Sequence, residues 1–292
     1  GTEYVDPRHS TEAFTEAAVR FLENYDGDEP FFLYVPFTAP HNPLATDPEW
    51  HARYNADAIT LPDNYAPTLG WDNGGLFMKE RTVNGTEISE EECRQRFADH
   101  WAMTTHMDDG IRRIHEALER NGFLENTNVI HSSDHGKQEG NHGMVGKQNM
   151  YEEAVTVPMI MAGPDIPRGE QRDQLVFQHD LFPTILNWAG ADIPEGTYYE
   201  DLRPCLESGS HQGRETLCSS YKAAQRMIRD QRYKFIAYEV DGQRREELFD
   251  LENDPSECND LSKKSAQQDR VQQMRKELKN WQQQVGDPCE VL

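Results

Sequence analysis

Positive charge is what this sequence has least of. Its 292 residues carry 29 Lys and Arg against 52 Asp and Glu, so the formal net charge is 29 − 52 = −23. A nucleic-acid partner is excluded on that ground, because clustered cations are needed to displace counterions from phosphates. An anionic membrane surface would repel the chain for the same reason. Long apolar runs are also absent. The longest, Phe31 to Phe37, is interrupted by Pro36, far short of the roughly 18 to 20 residues of a membrane span. Gly1 to Ser10 is polar and lacks the apolar stretch of a secretory signal. Cysteine is sparse and scattered: Cys93, Cys205, Cys218, Cys258 and Cys289 show no Cys-x-x-Cys pair, hence no zinc-ligand spacing, and an odd number cannot pair fully within one chain. Cys205 and Cys218 could close a short loop, but isolated thiols are the simpler reading.

Aromatic residues are plentiful, with 12 Phe, 11 Tyr and 5 Trp. They argue for a packed core despite a mean hydropathy of −0.86. Two regimes run along the chain. Up to about residue 205, helical and strand patterns alternate, which predicts a mixed α/β sheet flanked by helices. Phe14, Ala17, Ala18, Phe21 and Leu22 follow one helix face. Phe31 to Val35 reads as a buried strand, and Pro36 to Pro48 as a loop. Residues 42 to 88 are irregular, and a stretch of that length is usually functional or an insertion. Ser89 with Glu92 forms a capping box for a long helix, with Phe97, Trp101, Met107, Ile111, Ile114 and Leu118 inward and a stop at Asn121-Gly122. Strands are expected at Thr127 to Ser133 and Val155 to Met161. A helix capped by Asp180 follows, then a linker over 193 to 215. The second regime, residues 206 to 292, predicts a small antiparallel sheet covered by a terminal helix from about Ser265 to Gln284. Asn84-Gly85-Thr86 is a glycosylation sequon, relevant in a secreted eukaryotic protein.

Chemistry concentrates in two places. Asp134 and His135 end a predicted strand, the edge at which open α/β sheets place ligands. A carboxylate and an imidazole there suit a divalent cation: oxygen donors favour Ca2+ or Mg2+, while imidazole suits zinc as well. Lys147 follows in a glycine-rich loop, where a point positive charge can meet an anion. Spacing alone leaves open that Asp134 merely caps a turn and that Lys147 is solvated. The second place is Thr38-Ala39-Pro40-His41-Asn42-Pro43, again directly after a predicted strand. His41 is framed by prolines there, as suits a positioned general acid or base. Asp108 and Asp109 are neighbours on a helix and point about 100° apart, so they read as a solvated face. His100, His106 and His115 on the same helix read as surface or packing residues.

Three segments carry a family resemblance: PFFLYVPFTAPHNPL (Pro30 to Leu44), SDHGKQEGNHGMVGKQNMYEEAVTVPMIMAGP (Ser133 to Pro164) and QHDLFPTILNWAG (Gln178 to Gly190). They resemble the type I, formylglycine-dependent sulfatases of the alkaline-phosphatase-like superfamily. RMIRDQRYKFIAY and EELFDLENDPSECNDLS resemble the C-terminal subdomain of that family. The resemblance implies a sulfuric ester hydrolase acting on a sulfated small molecule or glycan. Asp134 and His135 would be two ligands of a calcium ion, with Mg2+ as the substitute. Lys147 and His41 would contact the sulfate ester, and His142 would face the same pocket. Family habit implies a periplasmic, lysosomal or secreted location. The family's nucleophile arises in a Cys-x-Pro-x-Arg or Ser-x-Pro-x-Arg segment, and no Cys or Ser here has Pro two residues on. Thr38 and Thr156 have that Pro but lack Arg at the fourth position. The expectation is a chain holding the metal- and sulfate-binding half of a site, with the nucleophile on an N-terminal portion of the same protein. A phosphonate or phosphodiester hydrolase of the same superfamily and a non-catalytic binder of sulfated glycans are the alternatives.

Overall fold

Residues 8–75, 87–207 and 213–289 are described by a computed structural model; the sequon at Asn84 to Thr86 lies outside them. The chain divides into two compact units. One is drawn from Gly1–Leu61, Ser89–Val129 and Gly163–Asp165, the other from Pro62–Ile88, Ile130–Ala162 and Ile166–Leu292. The units therefore interleave along the sequence.

In the first unit, helix α1 (Ser10–Asn24) starts where His9 Nδ1 accepts the Thr11 N–H. Its buried face is Thr11, Thr15, Ala18 and Leu22, rotated from the expected one, so that Phe21 is 37% exposed. A short helix, α2 (Pro48–His51), precedes the long α3 (Glu90–Arg120), which begins with the Ser89 hydroxyl accepting the Glu92 N–H at 3.1 Å. The buried residues of α3 are mostly small: Ala98, Ala102, Gly110 and Ala117, with Cys93, Met103, His106 and Leu118. A Cβ on Gly110 would lie 2.4 Å from Thr15 Oγ1, so α1 and α3 approach too closely for bulky groups. Trp101 sits outside that contact and is 41% exposed, against the inward place expected for it. Phe31 to Val35 forms no ladder with any described residue. Phe31 and Leu33 pack toward Leu22, Ala117 and Leu118, whereas Phe32 and Tyr34 are 72% and 74% exposed. The segment keeps a strand-like alternation without a strand partner.

In the second unit, β1 (Val129–Ser132) pairs with β4 (Met159–Ala162). Between them lie a two-stranded antiparallel ribbon, β2 (Gln138–Glu139) and β3 (Val145–Gly146), and a helical turn, α4 (Glu152–Val155). That turn occupies the start of the strand expected from Val155. Asp180 precedes α5 (Leu181–Trp188), and α6 (Arg203–Glu207) replaces part of the expected linker. The C-terminal sheet is an antiparallel meander of β5 (Leu217–Tyr221), β6 (Gln225–Arg229), β7 (Tyr233–Val240) and β8 (Gln243–Asp250). Helix α7 (Gln268–Val285) follows. Strand β5 escapes a hydrophobic reading because Ser219 and Ser220 interrupt it.

Alternation along β7 explains why this sheet is covered on both faces. Phe235 and Ala237 join Cys218, Ile228 and Leu248 under Val271, Met274 and Leu278 of α7. Ile236 and Tyr238 point the other way, where with Met227 and Phe249 they meet Met144, Met150 and Tyr151. Each large side chain buried this fully is worth about 1.5–3 kcal/mol. The loop around Lys147 is thereby packed onto the C-terminal sheet. All five cysteines are free thiols, including Cys205 and Cys218. No helix of the described residues is long and apolar enough to cross a membrane.

Candidate active site

Asp134 and His135 lie just beyond the end of β1. His135 Nδ1 is 2.9 Å from the Gly136 carbonyl, and its Nε2 is 3.2 Å from Asp134 Oδ2. A carbonyl only accepts, so Nδ1 carries the ring proton and a neutral ring presents a bare lone pair at Nε2. Two acceptors then face each other. Such an arrangement is satisfied by one more proton or by a cation between carboxylate and imidazole. An Nδ1–H held by a backbone carbonyl is also the usual orientation of a metal-ligating histidine. Asp134 is 80% exposed and able to swing onto an ion. The pair therefore fits a divalent cation, though it supplies only part of the six to eight oxygens that calcium takes.

Glycines let the following segment fold back tightly. The Gly136 N–H donates to Ala154 O at 2.9 Å, and a Cβ there would lie 2.1 Å from Glu153 O. At Gly143, φ is +69° and a Cβ would lie 2.0 Å from the Thr68 carbonyl carbon. Both positions need glycine because backbone passes against backbone. The Lys137 ammonium pairs with buried Glu139 at 2.7 Å, a contact not singled out from the sequence although it lies inside the same motif. Lys147 directly follows β3; its N–H donates to Gln148 Oε1 at 3.1 Å and its carbonyl accepts the Asn149 N–H at 2.9 Å. The half-buried Lys147 side chain is thus carried by a doubly tied backbone.

His142 is held in the packing of this loop. Its ring stacks on Tyr151 with centroids 3.9 Å apart, and its Nε2 accepts from Asn64 Nδ2 at 3.0 Å. Burial pushes its pKa down, with Glu153 opposing and Lys234 assisting. Glu153 and Glu257 bring oxygens into the same neighbourhood, a donor set with the composition of a metal site. One member of that set already has a cationic partner: the Lys234 Nζ lies 2.7 Å from Glu257 Oε1 and 2.8 Å from Glu152 Oε1. Arg229 adds a contact to Glu152 at 2.7 Å. Burial raises the Glu152 carboxyl, but Lys234 and Arg229 outweigh it and hold it below its usual range. These residues were not legible as a group, since they come from α4, β6, β7 and the loop after β8. The signal for them is a lysine inside the apolar run of β7.

His41 belongs to the other unit. It is exposed, its Nδ1 lies 2.9 Å from the Asn42 carbonyl, and peptide bonds 39–40 and 42–43 are cis. By the same donor logic Nδ1 carries the proton in the neutral ring, and Nε2 is its basic nitrogen.

The second unit thus carries an acidic–imidazole pair at a strand end, with a lysine in the adjoining glycine loop. Residues 2–191 match the family model described as Sulfatase, and residues 140–284 match that of N-sulphoglucosamine sulphohydrolase, C-terminal. The chain belongs to the sulfatase family. It is 30% identical over 211 residues to the multifunctional alkaline phosphatase superfamily protein PehA of Trinickia caryophylli, covering 67% of this chain and 41% of that protein. It is 27% identical over 278 residues to arylsulfatase K of Xenopus laevis, covering 86% and 51%. Among solved structures, a 2-O GAG sulfatase superposes with a TM-score of 0.76 at 26% identity, covering 98% of this chain and 67% of that one. The chain spans about half the length of the curated relatives it matches.

Proposed function

We propose that the protein hydrolyses a sulfate ester and that this chain provides the cation- and sulfate-binding half of the site. The observation that carries the reading is the Asp134–His135 pair, two acceptors that face each other at a strand end and suit a divalent cation. Bound there by Asp134 and His135, Ca2+, or Mg2+ in its stead, would withdraw charge from the sulfuryl oxygens. The Lys147 ammonium neutralises a further sulfuryl oxygen as negative charge builds in the transition state. His41 in its protonated form donates from Nε2 to the leaving oxygen. His142, stacked on Tyr151, keeps the glycine loop in shape, and we assign it a place among the groups that face the substrate.

The nucleophile is assigned to a segment N-terminal to these residues in the whole protein. Uncovered apolar side chains support a further packing layer, with Phe32 and Tyr34 exposed in the first unit and Ile160, 64% exposed, on β4 of the second. The match to the N-sulphoglucosamine sulphohydrolase model and to the 2-O GAG sulfatase favours a sulfated glycan as substrate. A second reading is hydrolysis of a phosphonate or phosphodiester, since a multifunctional alkaline phosphatase superfamily protein, PehA, is also among the relatives. One experiment separates the three outcomes. The 292-residue chain alone should cleave no aryl sulfate, and joining it to a sulfatase nucleophile segment should restore cleavage that a chelator abolishes. Faster cleavage of phosphodiesters than of sulfate esters supports the second reading. Glycan binding without any turnover leaves a binding protein.

A further inference from the structure

Gln225 opens β6, and alternation along that strand puts it on the same face as Met227, the face that packs against Met144, Met150 and Tyr151. An apolar residue would suit such a position, yet a glutamine with no solvent exposure fills it. Its Nε2 donates to the Asn73 carbonyl at 2.6 Å and to the Gln148 carbonyl at 3.1 Å. Both partners only accept, so the orientation of the amide is fixed and both of its hydrogens are used.

These two carbonyls lead to the two ends of the stretch that carries Lys147. Gln148 directly follows Lys147, and the turn at 73–75 presses on the same carbonyl: a Cβ on Gly75 would lie 2.4 Å from Gln148 O. Asn73 closes that turn, with its Oδ1 accepting the Gly75 N–H at 2.9 Å. Asn73 is 1% exposed, and its Nδ2 reaches Met144 Sδ at 3.4 Å, on the other side of β3 from Lys147. Asn149 ties the far end, donating its N–H to the Lys147 carbonyl and accepting the Tyr151 N–H at Oδ1, each at 2.9 Å. Every one of these contacts acts on the frame rather than on the ammonium. The frame decides where a flexible four-carbon side chain can deliver its charge.

We propose that Gln225 is a positioning residue for Lys147: one buried carboxamide of the C-terminal sheet holds the backbone after β3 directly, and the backbone before it through Asn73, so that the ammonium meets the sulfate. The functional consequence rests on the reading of Lys147 as a sulfate contact; the hydrogen bonds do not.

A double-mutant comparison tests this in the protein completed with its nucleophile segment, with an aryl sulfate as substrate. Gln225→Met keeps the volume and removes both donors. It should lower kcat/KM by about tenfold or more, chiefly through kcat and with an unchanged circular dichroism spectrum, because a misplacement of about 1 Å is costly to a charge aimed at the transition state. In the Lys147→Ala background the same substitution should cost less than about twofold, since its effect runs through the lysine. An equal loss in both backgrounds, which a merely structural glutamine would give, overturns the proposal, as does no loss in either. Should Gln225→Met fail to fold, Gln225→Asn, whose amide is one carbon short of the two carbonyls, enters the same comparison under the same criteria. Exchange of the Gln225 carboxamide protons in the labelled full chain reads the bonds without substrate. Strong protection is expected, and exchange at the rate of an exposed carboxamide overturns the proposal. Lys147→Ala without effect on sulfate turnover would be a failure of the sulfatase reading, visible before any Gln225 variant is measured, and would leave the exchange result standing.

Discussion

Lys234 Nζ lies 2.7 Å from Glu257 Oε1, and neither side chain has any exposure to solvent. The ammonium also meets Glu152, and Glu257 Oε2 accepts the Glu152 N–H at 2.6 Å. One lysine of β7 thus closes the helical turn that follows the Lys147 loop onto the C-terminal sheet. Its removal leaves buried carboxylates without their cation. Lys234→Met should therefore cost about 3–5 kcal/mol, read as a fall in the midpoint of urea unfolding. An effect under about 1 kcal/mol would show that water or Arg229 takes over the role.

Glu257 gives that cluster a pH dependence of known sign. Burial pushes its carboxyl up to about 7, with Lys234 pulling down. The folded state therefore holds a proton that the unfolded chain has released, across the window from the ordinary Glu range to about 7. Stability from this group is greatest at the acid end of the window and is lost as pH rises through it. Glu152 works oppositely: its carboxyl is held down, so its contribution is present above the ordinary range and fades below it. Glu257→Gln mimics the protonated form at every pH. It should flatten the decline in stability between pH 5 and 7 by about 2–3 kcal/mol, as measured by urea titrations at each pH. A wild-type profile already flat in that window would contradict the assignment.

Local chemistry in the sequence reached much of this arrangement. The Asp134–His135 pair, Lys147 and the meander from Met227 to Phe249 are each continuous in sequence, so strand ends, glycines and alternation locate them. The Lys234–Glu152–Glu257 cluster is not continuous, and pairing across distant segments has no local signature. The exposed Phe32 and Tyr34 misled for a related reason. Their alternation reads as a strand, but a strand also needs a neighbour, and neighbours are not written into the segment itself. Trp101 was placed inward by periodicity, whereas the contact between Gly110 and Thr15 selects small residues and turns the large ring out.

Cation and anion binding should separate by mutation. On the proposed reading Asp134 supplies a ligand oxygen, so Asp134→Asn should weaken Ca2+ binding to the 292-residue chain by at least about tenfold in calorimetry. On the same reading Lys147 meets the sulfate rather than the cation, so Lys147→Ala should leave Ca2+ binding unchanged. In the protein completed with its nucleophile segment, Lys147→Ala should lower kcat/KM by about 100-fold or more, because it removes charge aimed at the transition state. The two variants thus fail in different assays if cation and lysine act on the substrate from separate positions. Should Lys147→Ala weaken Ca2+ as strongly as Asp134→Asn does, the lysine would belong to the fold of the cation loop, and the charge meeting the sulfate would have to come from elsewhere.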